Sequence, residues 1–365
     1  MSTQLFLKNK RYKISKRNYT FDYFNHSSKK IDMTLSGKYL SSYENIKIDP
    51  KLFDKYPSRE DINKLEKEIK KIEKTDREII IGSGANGILH NIIKMLFLNK
   101  GNLVTPYFTF DEAEYAVTSF NGLTKRVYLD NYQINLEKIL KSIDRKTKMV
   151  YICNPNNPTG IFMDSNKILD FVEKVKVPVV VDESSIDFAN KKSILSYNHL
   201  PDNLLVIRSF SKAYGIANLR IGYLCCTKKF KDIYIKQNTI NEFSGISILI
   251  ALHQLKNMSN IKKNIDVIKC EKEKIIKKLN EIGIECIKSD SNIIMTKTIF
   301  NSAYIDKLNE EDVSVVLVYD EKNNIHLRIA VQDKCTNDKF IKIMSKLNKY
   351  KFKEVRNENI FSDKF

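Results

Sequence analysis

The sequence predicts an α/β protein in which a mainly parallel sheet lies between helices, followed by a smaller α+β domain. Three observations favour this fold class. Short runs that are apolar throughout alternate with amphipathic segments from about residue 56 to residue 245. The pattern then changes to long amphipathic helices and short strands. The chain has 365 residues, more than one simple core usually holds, so two domains are expected.

The first clear element is a helix that begins at Ser58. Ser58 and Asp61 have the serine–x–x–acid spacing of an N-terminal cap, and Ile62, Leu65 and Ile69 share one face. Apolar runs then predict strands at residues 79–81, 103–105, 126–129, 149–153, 178–181, 204–207 and 221–225. Helices are predicted between most of these strands, at residues 86–98, 111–120, 136–142 and 166–175. This alternation is typical of parallel strands joined by helical crossovers.

The last third of the chain has a different pattern. Helices are predicted at residues 246–255, 261–282 and 339–347, with strands at residues 292–296, 313–319 and 326–331. We therefore divide the chain into an N-terminal arm at residues 1–55 that joins the small domain, a large domain at residues 56–245, and a small C-terminal domain at residues 246–365.

The composition bounds the classes of function. The chain has 62 Lys and Arg against 44 Asp and Glu, a formal charge of +18, and 42% hydrophobic residues. That hydrophobic content excludes a disordered chain. The basic residues are spread along amphipathic helices, and the one concentrated patch is at residues 8–17. We therefore expect no binding to nucleic acid.

Neither a membrane location nor a metal site is indicated. No apolar run approaches the ~18 residues of a membrane helix, and the first residues lack a signal peptide's apolar region. The six cysteines include no Cys-x-x-Cys pair, so neither a zinc site nor a disulfide framework is expected. The sequence thus predicts a soluble cytoplasmic protein with reduced thiols.

Glycine is scarce, and its placement marks the first motif. Six of the 11 glycines lie in three short motifs, and three of those six are Gly82, Gly84 and Gly87. They stand between a predicted strand and a predicted helix, where the backbone N–H groups of Ser83–Asn86 point outward at a helix N-terminus. That geometry suits a phosphate group, and an ordinary tight turn is the alternative.

Three further motifs follow predicted strands. Asn157 lies in Asn-Pro-Asn-Asn-Pro-Thr-Gly after the strand at 149–153, at the edge where open α/β sheets bind their ligands. Asp182 ends the next buried strand, although a lone Asp there could also be a helix cap. Lys212 follows the third strand in Ser-Phe-Ser-Lys, with Arg220 eight residues further on.

Together these motifs resemble the fold-type I pyridoxal phosphate enzymes, and most closely the histidinol-phosphate aminotransferase group. The resemblance implies that Lys212 bonds covalently to the cofactor aldehyde and that Asp182 pairs with the pyridine nitrogen as an electron sink. Asn157 would donate to the 3-oxygen of the ring, and Phe108 would stack on the ring. The phosphate would be held by Ser83, Gly84, Ala85, Asn86, Ser209, Ser211 and Arg220.

The resemblance also covers the substrate and a second subunit. Arg328 matches the arginine that binds the substrate carboxylate, and strand alternation places His326 on the same face as Arg328. An ordinary packed histidine is the more common role for His326. Tyr56 resembles a tyrosine that reaches the phosphate of the other subunit, which implies a homodimer.

One departure from the family leaves the reaction type open. Ser185 stands at the cofactor where the aminotransferases have a tyrosine, and related amino-acid-phosphate decarboxylases also lack that tyrosine. Residues 40–45 only loosely match the family's substrate loop. The sequence thus predicts an aminotransferase that uses a donor such as glutamate and a small oxo compound, with or without a phosphate group. The alternatives are a threonine-phosphate or serine-phosphate decarboxylase and a non-enzymatic binding protein built on the same fold.

Overall fold

The computed structural model describes residues 19–20, 30–35, 48–238 and 242–348. The basic patch at residues 8–17 and the loosely matched substrate loop at residues 40–45 lie outside the described residues. None of the helices in the described part of the chain has the length and hydropathy needed to cross a membrane.

From residue 78 to residue 226 the strands and helices follow one another in the order that the sequence predicts. The strands are β1 (Tyr19–Thr20), β2 (Ile31–Asp32), β3 (Glu78–Gly82), β4 (Asn102–Pro106), β5 (Leu123–Val127), β6 (Thr147–Cys153), β7 (Val179–Asp182), β8 (Leu204–Ser209), β9 (Gly222–Cys226), β10 (Ile293–Met295), β11 (Val313–Ser314), β12 (Val316–Tyr319) and β13 (Ile325–Ala330). The helices are α1 (Arg59–Glu73), α2 (Gly84–Leu96), α3 (Glu112–Ser119), α4 (Leu136–Ser142), α5 (Ser165–Lys174), α6 (Lys228–Gln237), α7 (Gly245–Lys256), α8 (Met258–Glu281), α9 (Ser302–Glu310) and α10 (Lys334–Leu347).

The central sheet has the strand order β3-β9-β8-β7-β6-β4-β5. Strands β5, β4, β6, β7 and β8 run parallel to one another. Strand β9 is antiparallel to both β8 and β3. The predicted α/β class with a mainly parallel sheet is therefore confirmed. Because the parallel strands end at one edge, the segments that follow β6, β7 and β8 meet there.

Helices cover both faces of this sheet, which explains why its strands are apolar throughout. Within β7, Val179 and Val181 pack into one buried cluster, and Val180 packs into another. The first cluster includes Leu65 of α1, and the second includes Ile88 of α2. The predicted cap of α1 is present, since the Ser58 hydroxyl accepts the N–H of Asp61 at 3.0 Å.

A second sheet is formed mainly by the C-terminal part of the chain. Its order is β1-β12-β13-β10, and every pair in it is antiparallel. Strand β2 pairs in parallel with β11, so both described N-terminal strands join C-terminal ones. The division of the chain at residues 55 and 245 stays a prediction.

The structure differs from the prediction by two additional helices, one divided strand and several element boundaries, among them that of α10, which begins five residues before the predicted residue 339. Helices α6 and α9 were not predicted, because each buries so few side chains that no apolar period stands out: Tyr234 in α6, and Tyr304 and Leu308 in α9. Strand β5 begins three residues earlier than expected, at Leu123, whose side chain is exposed at the edge of the sheet. The predicted strand at 313–319 is divided into β11 and β12, which pair with different strands.

Candidate active site

The glycine motif at residues 82–87 and the segment that carries Lys212 and Arg220 lie side by side at one end of the central sheet. Gly222 at the start of β9 pairs with both Gly82 and Ser209, the last residues of β3 and β8. A Cβ atom at Gly222 would lie 2.8 Å from the Arg208 carbonyl oxygen and 3.0 Å from the Ala85 nitrogen. A glycine is therefore required where the start of α2 packs against the sheet.

The predicted phosphate residues surround this contact. Gly84 has φ +71°, and a Cβ atom there would lie 2.7 Å from Nη2 of Arg220. The Arg220 guanidinium is exposed and donates to Ser211 Oγ at 3.3 Å. Ser83 is the N-cap residue of α2, but its side chain makes no capping hydrogen bond. The N-terminus of α2, a guanidinium group and two serines thus lie around one small space.

Asp182 lies at the adjacent strand end and is held at both carboxylate oxygens. It is 5% exposed. The Tyr151 hydroxyl donates to Oδ2 at 3.0 Å, and the Ser184 N–H donates to Oδ1 at 2.9 Å. The Ser184 hydroxyl beside it is buried and has no hydrogen-bond partner among the described residues. The helix-cap alternative for Asp182 is wrong, since no α-helix begins there.

Lys212 lies among the charges of the site. Burial lowers its pKa from the ordinary 10.5 to about 8, and the positive charge of Arg328 acts in the same direction. Arg220 also lowers this pKa, whereas the carboxylate of Asp182 opposes the shift. The amine therefore lies within electrostatic reach of three of the residues that the motifs single out.

This lowered pKa predicts how the apoprotein takes up an aldehyde. Only the neutral amine is a nucleophile, and for Lys212 the neutral form is favoured above about pH 8 rather than above 10.5. We expect the rate of pyridoxal phosphate uptake, followed by absorbance in a pH series, to rise with a midpoint near 8. A midpoint near the ordinary lysine value would contradict the environment described for Lys212.

The Asn157 loop is fixed by its neighbour, Asn156. The Asn156 amide donates to the Phe108 carbonyl oxygen at 2.8 Å, and its oxygen accepts the Thr109 hydroxyl at 2.7 Å. Asn156 thereby ties the segment of Phe108 to the Asn157 loop. The Oδ1 atom of Asn157 itself is buried and has no partner among the described residues.

The C-terminal part of the chain holds the other side of this loop. The Asp290 N–H donates to the Gly160 carbonyl oxygen at 2.7 Å, and the Phe162 N–H donates to Asp290 Oδ2 at 3.3 Å. The buried Lys272 donates to the carbonyl oxygens of Ser289 and Ser291 at 2.5 and 3.1 Å. We name the segment 288–292 the clasp, because it fastens the Asn157 loop to the second sheet.

Alanine at Gly160 is expected to destabilise the protein strongly. Gly160 has φ +72°, and a Cβ atom there would collide with the Ser289 hydroxyl. Gly283 has φ +82°, and no described atom lies within 4 Å of the position that a Cβ atom would take, so Gly283→Ala tests the backbone strain alone. That strain is about 1–2 kcal/mol, and the collision should add at least ~1 kcal/mol to Gly160→Ala. Equal free energies of unfolding for the two variants, measured in urea, would contradict the clasp.

The substrate side of the site combines Phe108 with strand β13. The buried Phe108 ring lies edge-on to His326, with ring centroids 6.4 Å apart. Arg328 donates to the carbonyl oxygen of Thr34. His326 is packed, with Nδ1 3.1 Å from the Thr296 carbonyl oxygen and Nε2 3.5 Å from Asp320 Oδ2. The common structural role of His326 therefore fits better than a role in the site.

A buried ion cluster lies below the loops that carry Ser185 and Lys212. Arg208 is 6% exposed and lies 3.1 Å from Glu73, 3.0 Å from Asp187 and 3.4 Å from Glu183. The Glu183 carboxylate also accepts the Ser193 hydroxyl and the Ile194 N–H. One guanidinium thus ties the end of α1 to β8 and to the segment after Asp182.

The cluster predicts a pH dependence of stability. Burial raises the pKa of Glu183 from 4.5 to about 7, so the folded state binds more protons than the unfolded state between these values. Stability from this group is present at acidic pH and is lost as the pH rises through about 7. Glu183→Gln should flatten the fall of the melting temperature over that interval. An unchanged pH profile in the variant would contradict this prediction.

Ser185 and Tyr56 are less closely tied to the other predicted site residues. Ser185 is half-buried and precedes the short 3-10 helix Ile186–Phe188, without a side-chain capping bond. Tyr56 is 87% exposed, beside the segment that leads into α7. Sequence reasoning missed Tyr151, Asn156 and Ser184. Asn156 lies next to Asn157 in the Asn-Pro-Asn-Asn-Pro-Thr-Gly motif, and that position could have identified it.

Comparison with known proteins decides the family. The model of aminotransferase class I and II matches residues 36–344. The chain belongs to the class I and II aminotransferases. It is 31% identical to the histidinol-phosphate aminotransferase of Caldanaerobacter subterraneus over 75% of this chain and 78% of that protein. The predicted resemblance is confirmed, and the alternative of a non-enzymatic binding protein is wrong.

Solved aminotransferase structures have the same fold. The histidinol-phosphate aminotransferase from Sinorhizobium meliloti, solved in complex with pyridoxal-5'-phosphate, superposes with a TM-score of 0.78 at 20% identity and covers 87% of this chain and 90% of that one. The L-threonine-O-3-phosphate decarboxylase from Porphyromonas gingivalis superposes with a TM-score of 0.67 at 21% identity, covering 82% and 92%. Both reactions therefore occur on this fold.

The site of this aminotransferase fits its cofactor, pyridoxal phosphate. The uncapped Ser83 and the side-chain-free surface of Gly84 beside Arg220 leave room and donors for a phosphate group. A desolvated amine and a buried carboxylate complete the set that this cofactor needs.

Proposed function

We propose that this aminotransferase transfers an amino group between a donor such as glutamate and a small phosphorylated oxo compound. The observation that carries the proposal is the position of Lys212, whose amine is buried within electrostatic reach of Arg328, Asp182 and Arg220. The phosphorylated substrate is supported by the histidinol-phosphate aminotransferases to which the chain is similar. The proposal includes a cytoplasmic homodimer in which Tyr56 reaches the other subunit.

Each residue has a defined part in this proposal. The cofactor, when bound, supplies an electron sink for the bonds at the substrate Cα atom. Lys212 would hold the cofactor covalently, and its Nζ atom would be the group that carries the proton of the substrate Cα atom. Asp182 would pair with the ring nitrogen, and Asn157 would donate to the ring oxygen. The N-terminus of α2 and Arg220 would bind the phosphate.

Arg328 orients the amino donor by its carboxylate. Its guanidinium is a planar fork suited to bidentate binding, and its position is fixed by a donated bond to the Thr34 carbonyl oxygen. The Phe108 ring is buried beside the same strand and would cover the ring of the cofactor. Water is thereby excluded from one side of the site, which strengthens the interactions among its charges.

A decarboxylase is the second candidate, and Ser185 is the observation that favours it. A serine there lacks the phenol that the aminotransferases of this group place at the ring oxygen, and the Porphyromonas decarboxylase shares the fold. The cofactor, when bound, would favour the breaking of whichever Cα bond the protein aligns with its electron sink. The direction in which Arg328 holds the carboxylate therefore separates the two reactions.

The test is a comparison of three substrates with the loaded full-length enzyme. With 2-oxoglutarate present, histidinol phosphate should yield glutamate, whereas histidinol should react far more slowly because it lacks the phosphate. O-phosphothreonine should release no carbon dioxide. Release of carbon dioxide would establish the second candidate, and equal rates with histidinol and its phosphate would overturn the phosphorylated substrate.

A further inference from the structure

One buried hydroxyl group next to the site has no role in the function proposed above. Tyr151 lies in the middle of β6 and is fully buried, with 0% exposure. Its hydroxyl donates to Asp182 Oδ2 at 3.0 Å. Burying a phenol hydroxyl is unfavourable unless it finds a partner, and phenylalanine would fill the same space without that requirement. The bond to the Asp182 carboxylate therefore offsets the cost of burying the Tyr151 hydroxyl.

The sheet fixes the geometry of this contact. Tyr151 pairs with Val180 and Cys153 pairs with Asp182 on the parallel strands β6 and β7. The backbone of Tyr151 is also tied to β4, because the Thr105 hydroxyl donates to its carbonyl oxygen at 3.2 Å. A donor built on the interior of a sheet is held more rigidly than one on a loop.

Two hydrogen bonds together fix the orientation of the Asp182 carboxylate. The Ser184 N–H occupies one oxygen and the Tyr151 hydroxyl occupies the other, so the carboxylate cannot rotate without losing one of them. Each oxygen keeps a second lone-pair direction for a further donor.

We infer that Tyr151 is a positioning residue, which holds the Asp182 carboxylate in the orientation that receives the N–H of the cofactor ring. This inference rests on the role proposed for Asp182. Tyr151 acts on the cofactor through Asp182. A weaker pairing makes the ring a poorer electron sink, so the nitrogen that links Lys212 to the cofactor keeps its proton to higher pH.

The test is Tyr151→Phe, measured on the full chain loaded with pyridoxal phosphate. We expect the dissociation constant of the cofactor to rise about tenfold, the effect of one hydrogen bond to a charged group. We also expect the pH titration of the bound cofactor's absorbance to move upward by about half a pH unit or more. A variant that binds cofactor as tightly as the parent protein, with an unmoved titration, would overturn the inference.

Two further variants separate the possible causes. Tyr304→Phe removes another buried tyrosine hydroxyl, whose partner is Met344 Sδ at 3.8 Å in a part of the fold remote from Asp182. It should leave the cofactor titration unmoved, and a shift as large as that of Tyr151→Phe would overturn the inference. Asp182→Asn should change the titration more than Tyr151→Phe does. If Asp182→Asn has no effect, the role proposed for Asp182 fails; if only Tyr151→Phe has none, the positioning role alone fails.

Discussion

Replacing Lys212 by alanine is expected to lower the rate of transamination by about 10⁴-fold or more. The variant loses both the covalent anchor of the cofactor and the amine that moves the substrate proton, and a positioned base alone contributes about 10²–10⁴-fold. The loss should appear in kcat, measured with saturating cofactor. Because burial and two guanidinium groups oppose the charge on Lys212, the stability of the apoprotein should not fall in proportion.

The matched control for this variant is Lys229→Ala. Lys229 is exposed on α6, so its removal changes the charge of the protein by the same amount without touching the site. It should leave kcat unchanged. Turnover by Lys212→Ala within about tenfold of the parent rate would contradict the catalytic role proposed for this lysine.

Replacing Arg208 by methionine is expected to cost about 3–5 kcal/mol of stability, because it leaves buried carboxylates without their cation. The three acidic partners of Arg208 come from α1 and from the segment after Asp182. Burial also raises the pKa of Asp187, so the variant should take up protons and recover part of its stability at acidic pH. Urea unfolding at neutral and acidic pH measures both effects.

An exposed ion pair provides the comparison. Lys64 and Glu60 lie 2.8 Å apart on α1 with side chains 56% and 78% exposed, so Lys64→Met should change the free energy of unfolding very little. If Arg208→Met were as mild as Lys64→Met, the cluster would not be the support for the two loops that its geometry indicates.

Much of the site could be predicted because its residues follow strand ends. Parallel strands bring their carboxyl ends to one edge, so motifs after β6, β7 and β8 were expected to meet, and Lys212, Asp182 and Arg220 do so. The order of helices and strands followed from strands that are buried on both faces. Helices α6 and α9 were missed because they bury too little to show a period.

The residues that support the site could not be found in the same way. The bond from Tyr151 to Asp182 joins residues 31 apart in the chain, and the clasp joins Gly160 to residue 290. The sequence around Tyr151 and around Ser289 gives no sign of these contacts, because a tyrosine in a strand and a serine in a loop are both common. The role of Tyr151 depends on the register of β6 against β7. The role of the clasp depends on how the C-terminal part of the chain packs against the Asn157 loop.

The clasp limits how segments of this enzyme can be exchanged with those of its relatives. Gly160 and Ser289 are sterically complementary. Gly160 has no side chain, and Ser289 fills the space that a side chain at position 160 would need. A chimaera that joins the first 245 residues of one relative to the C-terminal part of another must inherit both members of this pair from a compatible source. Their joint transfer, rather than the position of the junction, should decide which hybrids accumulate as folded protein.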